Sequence, residues 1–140
     1  MELLIVMAIL VVICAMAIPP LMAAIQDAKV AAAVSDITTM DTEIAQYQIL
    51  NNAYPDNLSQ IGRPNFLDPW GNPYQYLNHA TMHGNGQARK DRFLVPLNDD
   101  YDLYSDGPDG QTTSPITAQK SQDDIIRASD GAYVGVASQF

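Results

Sequence analysis

The 140-residue sequence contains one cysteine and few basic residues, seven against sixteen acidic ones. A lone cysteine cannot form an intramolecular disulfide, so Cys14, which lies inside an apolar run, is predicted to pack as a small apolar side chain. No basic residue precedes Lys29, which argues against a cleaved secretory signal with its basic start. The net charge of −9 repels nucleic acid and anionic lipid, and so excludes nucleic acid as a partner.

What the sequence does contain is an uncharged apolar run of 23 residues, Leu3 to Ile25. As a helix it would be about 34 Å long, enough to cross the hydrocarbon core of a bilayer. We therefore predict a membrane-spanning segment over residues 1–25 and a globular domain over residues 26–140. A plain membrane anchor is one alternative, but it leaves Glu2 without a role, and a carboxylate at a membrane segment is costly and usually functional.

The helical pattern continues beyond the apolar run. No Gly or Pro occurs between residues 21 and 50, and apolar side chains recur on one helical face at Ala33, Ile37, Met40, Ile44, Tyr47 and Leu50. The pattern predicts one helix from Leu3 to about Leu50. We expect it to be kinked or locally unwound at Pro19 and Pro20, because proline lacks an N–H group and its ring clashes with the preceding turn.

The remaining residues predict short elements joined by turns. Asp56 or Asn57 would cap a short helix that ends at Gly62. Strands are predicted over residues 74–77, 92–96, 101–104 and 132–137, with a polar exposed loop over 78–91 and a long loop over 105–124. We expect the antiparallel strands to pack their apolar face on the second half of the long helix, which makes the fold class α+β.

The long loop is acidic, and we define residues 105–124 as the distal loop. Four carboxylates flank its centre, at Asp106, Asp109, Asp123 and Asp124. Carboxylate and carbonyl oxygens are the ligands that Ca²⁺ prefers, and a cation bridging Asp109 to Asp123 or Asp124 would order a loop with little core of its own. The spacing does not match an EF-hand because no Glu closes the loop. A solvated acidic loop without metal is the alternative.

No catalytic set is found in the sequence, and we predict that the chain is not an enzyme. It has no Ser-His-Asp arrangement in a supporting context, no Gly-Lys phosphate loop and no cysteine nucleophile outside the apolar run. His79 and His83 are four residues apart in a glycine-rich loop without a third ligand, so we expect exposed loop histidines rather than a metal site. Trp70 and the tyrosines are predicted to pack in the core.

Three blocks occur in a recognisable order. They are the apolar start from Glu2 with Ile18-Pro19, then Asp-Pro-Trp-Gly-Asn-Pro-Tyr over 68–74, then Asp-Leu-Tyr-Ser-Asp-Gly-Pro-Asp-Gly over 102–110. Together they resemble the type IV pilin and type II secretion pseudopilin family, in particular its major pseudopilin. Family precursors carry a short basic leader before the Glu. Because only Met1 precedes Glu2, we expect a few N-terminal residues to be absent from this sequence.

The resemblance implies a pilin-like fold, with a long helix on a small antiparallel sheet and a C-terminal metal-binding loop. It implies a structural subunit of a helical pseudopilus filament that assembles from the inner membrane and drives protein export. Residues 1–25 would then form the filament core, Glu2 would pair with the N-terminal amine of the adjacent copy, and Pro19–Pro20 would let the helix extend on assembly. A protonated Glu2 and a static kink are the respective alternatives. The resemblance also supports structural Ca²⁺, with Asp106 giving its backbone carbonyl.

The implied partners are copies of the chain itself, minor pseudopilins, the inner-membrane assembly platform and a prepilin peptidase, with N-terminal methylation. The implied location is the inner membrane, with the domain in the periplasm, and afterwards the filament. The tail over 114–140 is longer than a minimal major pseudopilin requires. It leaves open a type IV pilus subunit for adhesion or motility. A monomeric, membrane-anchored calcium-binding module is the third interpretation.

Overall fold

The chain folds as one long helix with a four-stranded sheet packed on its second half. The structure, a computed structural model, describes residues 2–84 and 86–140; Met1, and Asn85 in the middle of the predicted polar loop, lie outside the described residues. Helix α1 (Glu2–Asn51) is 50 residues long, about 75 Å at 1.5 Å per residue. The strands are β1 (Gln75–Asn78), β2 (Tyr101–Ser105), β3 (Ile125–Ala128) and β4 (Tyr133–Val136). They are antiparallel in the order β1-β2-β3-β4, so the predicted α+β pilin-like fold is confirmed.

The main core lies between α1 and one face of the sheet. Ala33, Ile37, Met40 and Ile44 of α1 are fully buried, and they pack against Tyr74, Tyr101, Leu103 and Ile125. These four helix positions confirm the predicted apolar face. The prediction was wrong at Leu50, whose side chain is 84% exposed, because the helix extends past the end of the domain.

A second apolar cluster covers the opposite face of the sheet. It consists of Leu97, Ile116, Ile126, Ala128 and Ala137, flanked by Tyr104 and Tyr133. Its members come from the loops that surround the sheet as well as from β3. Both faces of the central strands are therefore shielded from water, and all four residues of β3 are buried.

Two tyrosines of the sheet side bond to carboxylates on α1, and we call them the helix-bonded tyrosines. Tyr74 Oη donates to Asp36 Oδ2 at 2.9 Å and Tyr101 Oη donates to Asp41 Oδ1 at 2.5 Å. Burial, and then the bonded carboxylate, raise the pKa of both phenols above the ordinary value. The neutral phenol is thus the form that the folded domain stabilises.

Arg127 forms ion pairs with two carboxylates close to the helix-bonded tyrosines, Asp100 and Asp41. Its Nη1 and Nη2 donate to the two carboxylate oxygens of Asp100 at 2.7 and 2.8 Å, and its Nε donates to Asp41. The guanidinium carbon lies 4.1 Å from the centre of the Tyr101 ring. Since Asp41 is on α1 and Arg127 on β3, this cluster of side chains fastens the helix to the sheet.

One predicted strand is wrong and one observed strand was not predicted. Residues 92–96 form no strand; the segment is a surface loop in which Phe93 is 91% exposed, and Pro96 cannot donate to a ladder. Strand β3 was not predicted, because a strand covered on both faces lacks the alternating pattern that marks a half-buried one. The predicted short helix is confirmed as a 3₁₀ turn over Leu58–Ile61, with Asn57 as its N-cap and Gly62 at φ 79° as its C-cap.

Candidate functional site

The first half of α1 stands free of the globular domain, and we call residues 2–25 the apolar rod. The large apolar side chains from Leu3 to Ile25 are all exposed, and no described residue of α1 before Ala33 is buried. One helix of the described residues, α1, is long and apolar enough to cross a membrane. An apolar surface of this length needs lipid or other protein to cover it.

Glu2 begins the apolar rod, in the first turn of α1. A carboxylate there interacts favourably with the helix macrodipole and its free N–H groups. Glu2 is exposed, and within residues 2–84 and 86–140 it enters no salt bridge. Its pairing with the amine of an adjacent copy stays a prediction.

The proline pair lies within continuous helix. The backbone keeps α-helical geometry through Pro19 and Pro20, without the local unwinding that the sequence allowed as one of two outcomes. Because proline has no N–H group, the carbonyls of Ala15 and Met16 lose their usual partners four residues on. These are weak points in the helical ladder, and extension at this place on assembly stays a prediction.

The Asp-Pro-Trp-Gly-Asn-Pro motif forms a turn that is hydrogen-bonded to the start of the distal loop. Asp68 Oδ1 accepts from the backbone N–H groups of Trp70 and Asn72 at 3.0 and 2.8 Å, and its Oδ2 accepts from Ser105 Oγ at 2.5 Å. Asn72 Nδ2 donates to the carbonyl of Gly107 at 3.1 Å. Trp70 packs against the core, as predicted. The motif therefore anchors the start of the distal loop.

The four carboxylates of the predicted calcium site are divided between the interior and the surface. Asp124 is fully buried, and its Oδ2 accepts from Arg89 Nη2 at 2.5 Å and from Thr112 Oγ1 at 2.6 Å. Burial raises the pKa of Asp124, against the opposing effects of Thr112 and Arg89. Asp106 is half-buried and accepts from Gln75 Nε2 at 3.3 Å, and burial raises its pKa as well.

Asp109 and Asp123 are brought together near the surface. The backbone N–H of Asp109 donates to Asp123 Oδ2 at 3.3 Å, and Asp109 Oδ1 accepts from the backbone N–H of Gln111 at 2.8 Å. Among the described residues, no group of three or more His, Cys, Asp or Glu side chains is arranged to hold a metal ion. Arg89 and Thr112 bond to Oδ2 of Asp124, whereas Oδ1 of Asp124 and Oδ1 of Asp106 are buried without a hydrogen-bond partner among the described residues. Calcium binding at the distal loop stays a prediction.

Arg89 is the residue of this region that the sequence did not reveal. It was assigned to an exposed loop, yet it is 2% exposed, because its segment folds over the sheet and contacts the distal loop. The one signal in the sequence that could have indicated Arg89 is charge, because an excess of Asp around a buried strand requires a basic side chain nearby.

His79 was also assigned wrongly to the surface. Its side chain is 8% exposed, with Nε2 3.1 Å from Asp102 Oδ2, whereas His83 is exposed as predicted.

Comparisons with known proteins identify relatives of the chain. The chain is 30% identical over 131 residues to the type II secretion system core protein G of Pseudomonas aeruginosa, which covers 79% of this chain and 81% of that protein. It is 28% identical over 131 residues to the type II secretion system core protein G of Pectobacterium carotovorum, covering 79% of this chain and 74% of that protein. No protein-family profile matches, and no solved structure matches. At this identity and coverage, the chain belongs to the family of the type II secretion system core protein G.

Proposed function

We propose that the chain is the major pseudopilin of a type II protein secretion system, a structural subunit of a helical filament that drives protein export. The observation that carries this proposal is the apolar rod, an exposed apolar helix continuous with a folded domain. A lipid bilayer covers such a helix before assembly, and the same helices of neighbouring copies cover it in a filament. The relatives' names support secretion over a type IV pilus.

The apolar rod also supports a membrane topology for the chain. The chain is held in the inner membrane by a single helix, its domain lies in the periplasm, and it then enters a periplasmic filament. Its partners are copies of itself, minor pseudopilins and the inner-membrane assembly platform, and a prepilin peptidase processes and methylates its N-terminus. The chain carries out no catalysis, which agrees with its buried charged groups bonding to one another in the fold.

Within the filament, Glu2 sets the axial register. The rod has no charged residue between Glu2 and Asp27, so a carboxylate carried into the filament core must be paired or neutralised. The free N-terminal amine of an adjacent copy supplies the opposite charge. The proline pair in turn supplies two carbonyls that are already free of helical partners, and this lowers the cost of extending the rod.

Two variants separate pairing from simple protonation. Glu2→Gln removes the charge but keeps the size, and Asp27→Asn makes the same change at an exposed position of α1 outside the apolar rod. We expect Glu2→Gln to insert in the membrane normally and to form few filaments, as counted by electron microscopy of sheared cells, and Asp27→Asn to assemble normally. Normal assembly of Glu2→Gln would contradict the pairing and favour a protonated Glu2.

A deletion strain tests the function itself. Loss of the chain should leave secreted proteins in the periplasm, and the wild-type gene should restore their export. Intact export together with loss of surface fibres would instead indicate a type IV pilus subunit. A protein that stays monomeric in the membrane under all conditions would contradict both filament functions.

A further inference from the structure

The globular domain carries an exposed apolar surface of its own, separate from the apolar rod. Phe93, Leu94 and Val95 follow one another on a surface turn and are 91%, 40% and 56% exposed, and Phe140 is 42% exposed. Single exposed apolar side chains are ordinary, but three in succession on a turn indicate a contact surface. Beside the turn is a cavity of about 460 Å³, which we call the Phe93 groove; its lining includes Phe93, Ile116, Thr117, Gln122, Ala137 and Phe140.

The turn that carries Phe93 is held in place by backbone hydrogen bonds. The N–H of Asp91 donates to the carbonyl of Leu94 at 2.9 Å, which closes the turn. Behind it, the N–H of Leu97 donates to the carbonyl of Arg89 at 2.7 Å, and both of these residues are buried. Phe93 is therefore presented at the tip of an ordered turn, and a partner that covers it has little chain entropy to remove.

The Phe93 groove lies at the side of the domain. Three of its lining residues, Ala137, Ser138 and Phe140, come directly after β4, which is an edge strand of the sheet. Ile116 and Ala137 also belong to the apolar cluster on the face of the sheet opposite α1. Because α1 runs along the other face, the groove is turned away from the helix and from the apolar rod that continues it. It is therefore placed to meet a neighbour that stands beside the domain.

Basic side chains gather around the Phe93 groove. Arg92 lines it, and the carbonyl of Lys90 accepts from the N–H of the lining residue Ile116 at 3.0 Å. Lys120 lies two residues before another lining residue, Gln122. Within residues 2–84 and 86–140, none of these three basic side chains enters a salt bridge. Their charge is thus free to pair with carboxylates outside the domain.

The charged surface away from the groove is mainly acidic. The chain has sixteen acidic residues and seven basic ones, and Arg63, Arg89 and Arg127 are already paired with carboxylates of the fold. Lys29 is then the one basic side chain outside the groove that enters no salt bridge in the described chain. Asp91 is the one carboxylate among the described residues that line the groove. A basic and aromatic surface on so acidic a chain is complementary in charge to the other faces of the same chain.

We propose that the Phe93 groove binds an acidic face of a second copy of the chain, with Phe93 at the centre of the contact and Arg92 and Lys120 at its rim. Aromatic and arginine side chains are enriched in protein interfaces. Two such grooves placed face to face would bring their basic side chains together, and like charges repel, so the contact joins two different surfaces. A contact of this kind repeats from copy to copy and builds an open helical array. In the filament of the proposed function, on which this assignment rests, the groove supplies a contact between domains.

Photo-cross-linking of the full-length chain in cells tests the contact. The photoreactive amino acid p-benzoylphenylalanine takes the place of Phe93, and the products are identified by peptide mass spectrometry. We expect a ladder of dimers and larger multimers of the chain, cross-linked to a segment outside residues 90–96 that contains exposed Asp or Glu. Cross-links to lipid alone, to a different protein or to the Phe93 turn of the second copy would overturn the proposal, as would the absence of any cross-link.

Phe93→Ser tests the apolar centre of the contact, and Leu50→Ser at the end of α1 is its matched control. The two side chains are 91% and 84% exposed, so both variants should keep the wild-type melting temperature and insert in the membrane normally. We expect Phe93→Ser to give several-fold fewer filaments in electron microscopy of sheared cells, and Leu50→Ser to give the wild-type number. Equal filament numbers for the two variants would overturn the proposal.

Charge reversal tests the choice of a second copy as the partner. Arg92→Glu should lower the yield of cross-linked dimers, and changing the cross-linked carboxylate to Arg in the same chain should restore it. A yield that Arg92→Glu leaves unchanged would contradict the charge complementarity and overturn the proposal. Normal filaments and export in Phe93→Ser would refute this contact alone, whereas intact export in the deletion strain would refute the secretion function even where copies cross-link through Phe93.

Discussion

Removing the negative charge of Asp41 should loosen the attachment of the sheet to α1. Asp41 Oδ1 accepts from both Tyr101 Oη and Arg127 Nε, so one carboxylate oxygen serves two buried donors. Asp41→Asn keeps the size and one acceptor oxygen but loses the charge that both donors face.

The magnitude follows from these contacts. Hydrogen bonds to charged groups each contribute about 1.5–3 kcal/mol, but the Asp41 side chain is 32% exposed and Arg127 keeps its two bonds to Asp100. Solvent screening and the remaining partner therefore reduce the loss to about 2 kcal/mol. In a domain of this size, that lowers the melting temperature by roughly 8–10 °C.

The assay is thermal unfolding of the full-length chain in detergent, followed by near-ultraviolet circular dichroism. Asp27→Asn is the control, since Asp27 is exposed on the same helix and its loss should change the stability by less than about 0.5 kcal/mol. A double variant with Tyr101→Phe should show non-additive losses, because Tyr101 and Asp41 share one hydrogen bond. Equal melting temperatures for Asp41→Asn and Asp27→Asn would refute the argument that this cluster fastens the helix to the sheet.

Three further predictions concern packing, backbone and pH. Met40→Ala should cost about 2–4 kcal/mol in urea unfolding, while Leu50→Ala should change little, and similar losses would contradict the assigned core. Gly107→Ala should lower the free energy of unfolding by about 3 kcal/mol or more, because Gly107 has φ +67° and a Cβ there would overlap the facing backbone of Asp123. Gly86→Ala is the control and should leave the free energy of unfolding nearly unchanged, because the space around Gly86 is open; equal losses in urea unfolding would contradict the assigned contact. The helix-bonded tyrosines keep their protons in the folded state above the ordinary phenol pKa of about 10, where the unfolded chain has lost them, so these two phenols alone should lower stability by about 2.7 kcal/mol per pH unit above that value. Burial also raises the pKa of Tyr76, which adds to the loss. Urea midpoints across alkaline pH measure it, and a folded protein with both phenols ionised near pH 10 would contradict it.

The helix and its buried face could be predicted because a single physical rule governs them. A helix that packs on a sheet must place apolar residues every three or four positions, and Ala33, Ile37, Met40 and Ile44 do so. Leu50 continues the same period without being buried, because periodicity does not record where the domain ends. Strand β3 was missed because its sequence does not alternate between apolar and polar residues. It does not alternate because β3 is an interior strand that is covered on both faces.

The candidate site was predicted in part. The apolar run, Glu2 and the proline pair are contiguous in sequence, so their placement along one helix needed no tertiary information. The position of Arg89 is different. Arg89 lies 35 residues from Asp124, and only the path of the β1–β2 connection over the sheet brings them together. Sequence spacing therefore pointed to the acidic residues of the loop but not to the arginine that bonds to one of them.

The continuity of α1 through Pro19 and Pro20 has an angular consequence. Each helical residue turns the chain by about 100° and advances it about 1.5 Å. The number of residues between the apolar rod and Ala33 therefore fixes the azimuth at which the domain projects from the filament axis. One inserted residue would swing the domain by roughly 100°, whereas seven would return it to within about 20° while moving it outward by about 10 Å. The length of this stretch of helix therefore sets the direction in which the domain projects, and insertions of seven residues preserve that direction best among short ones.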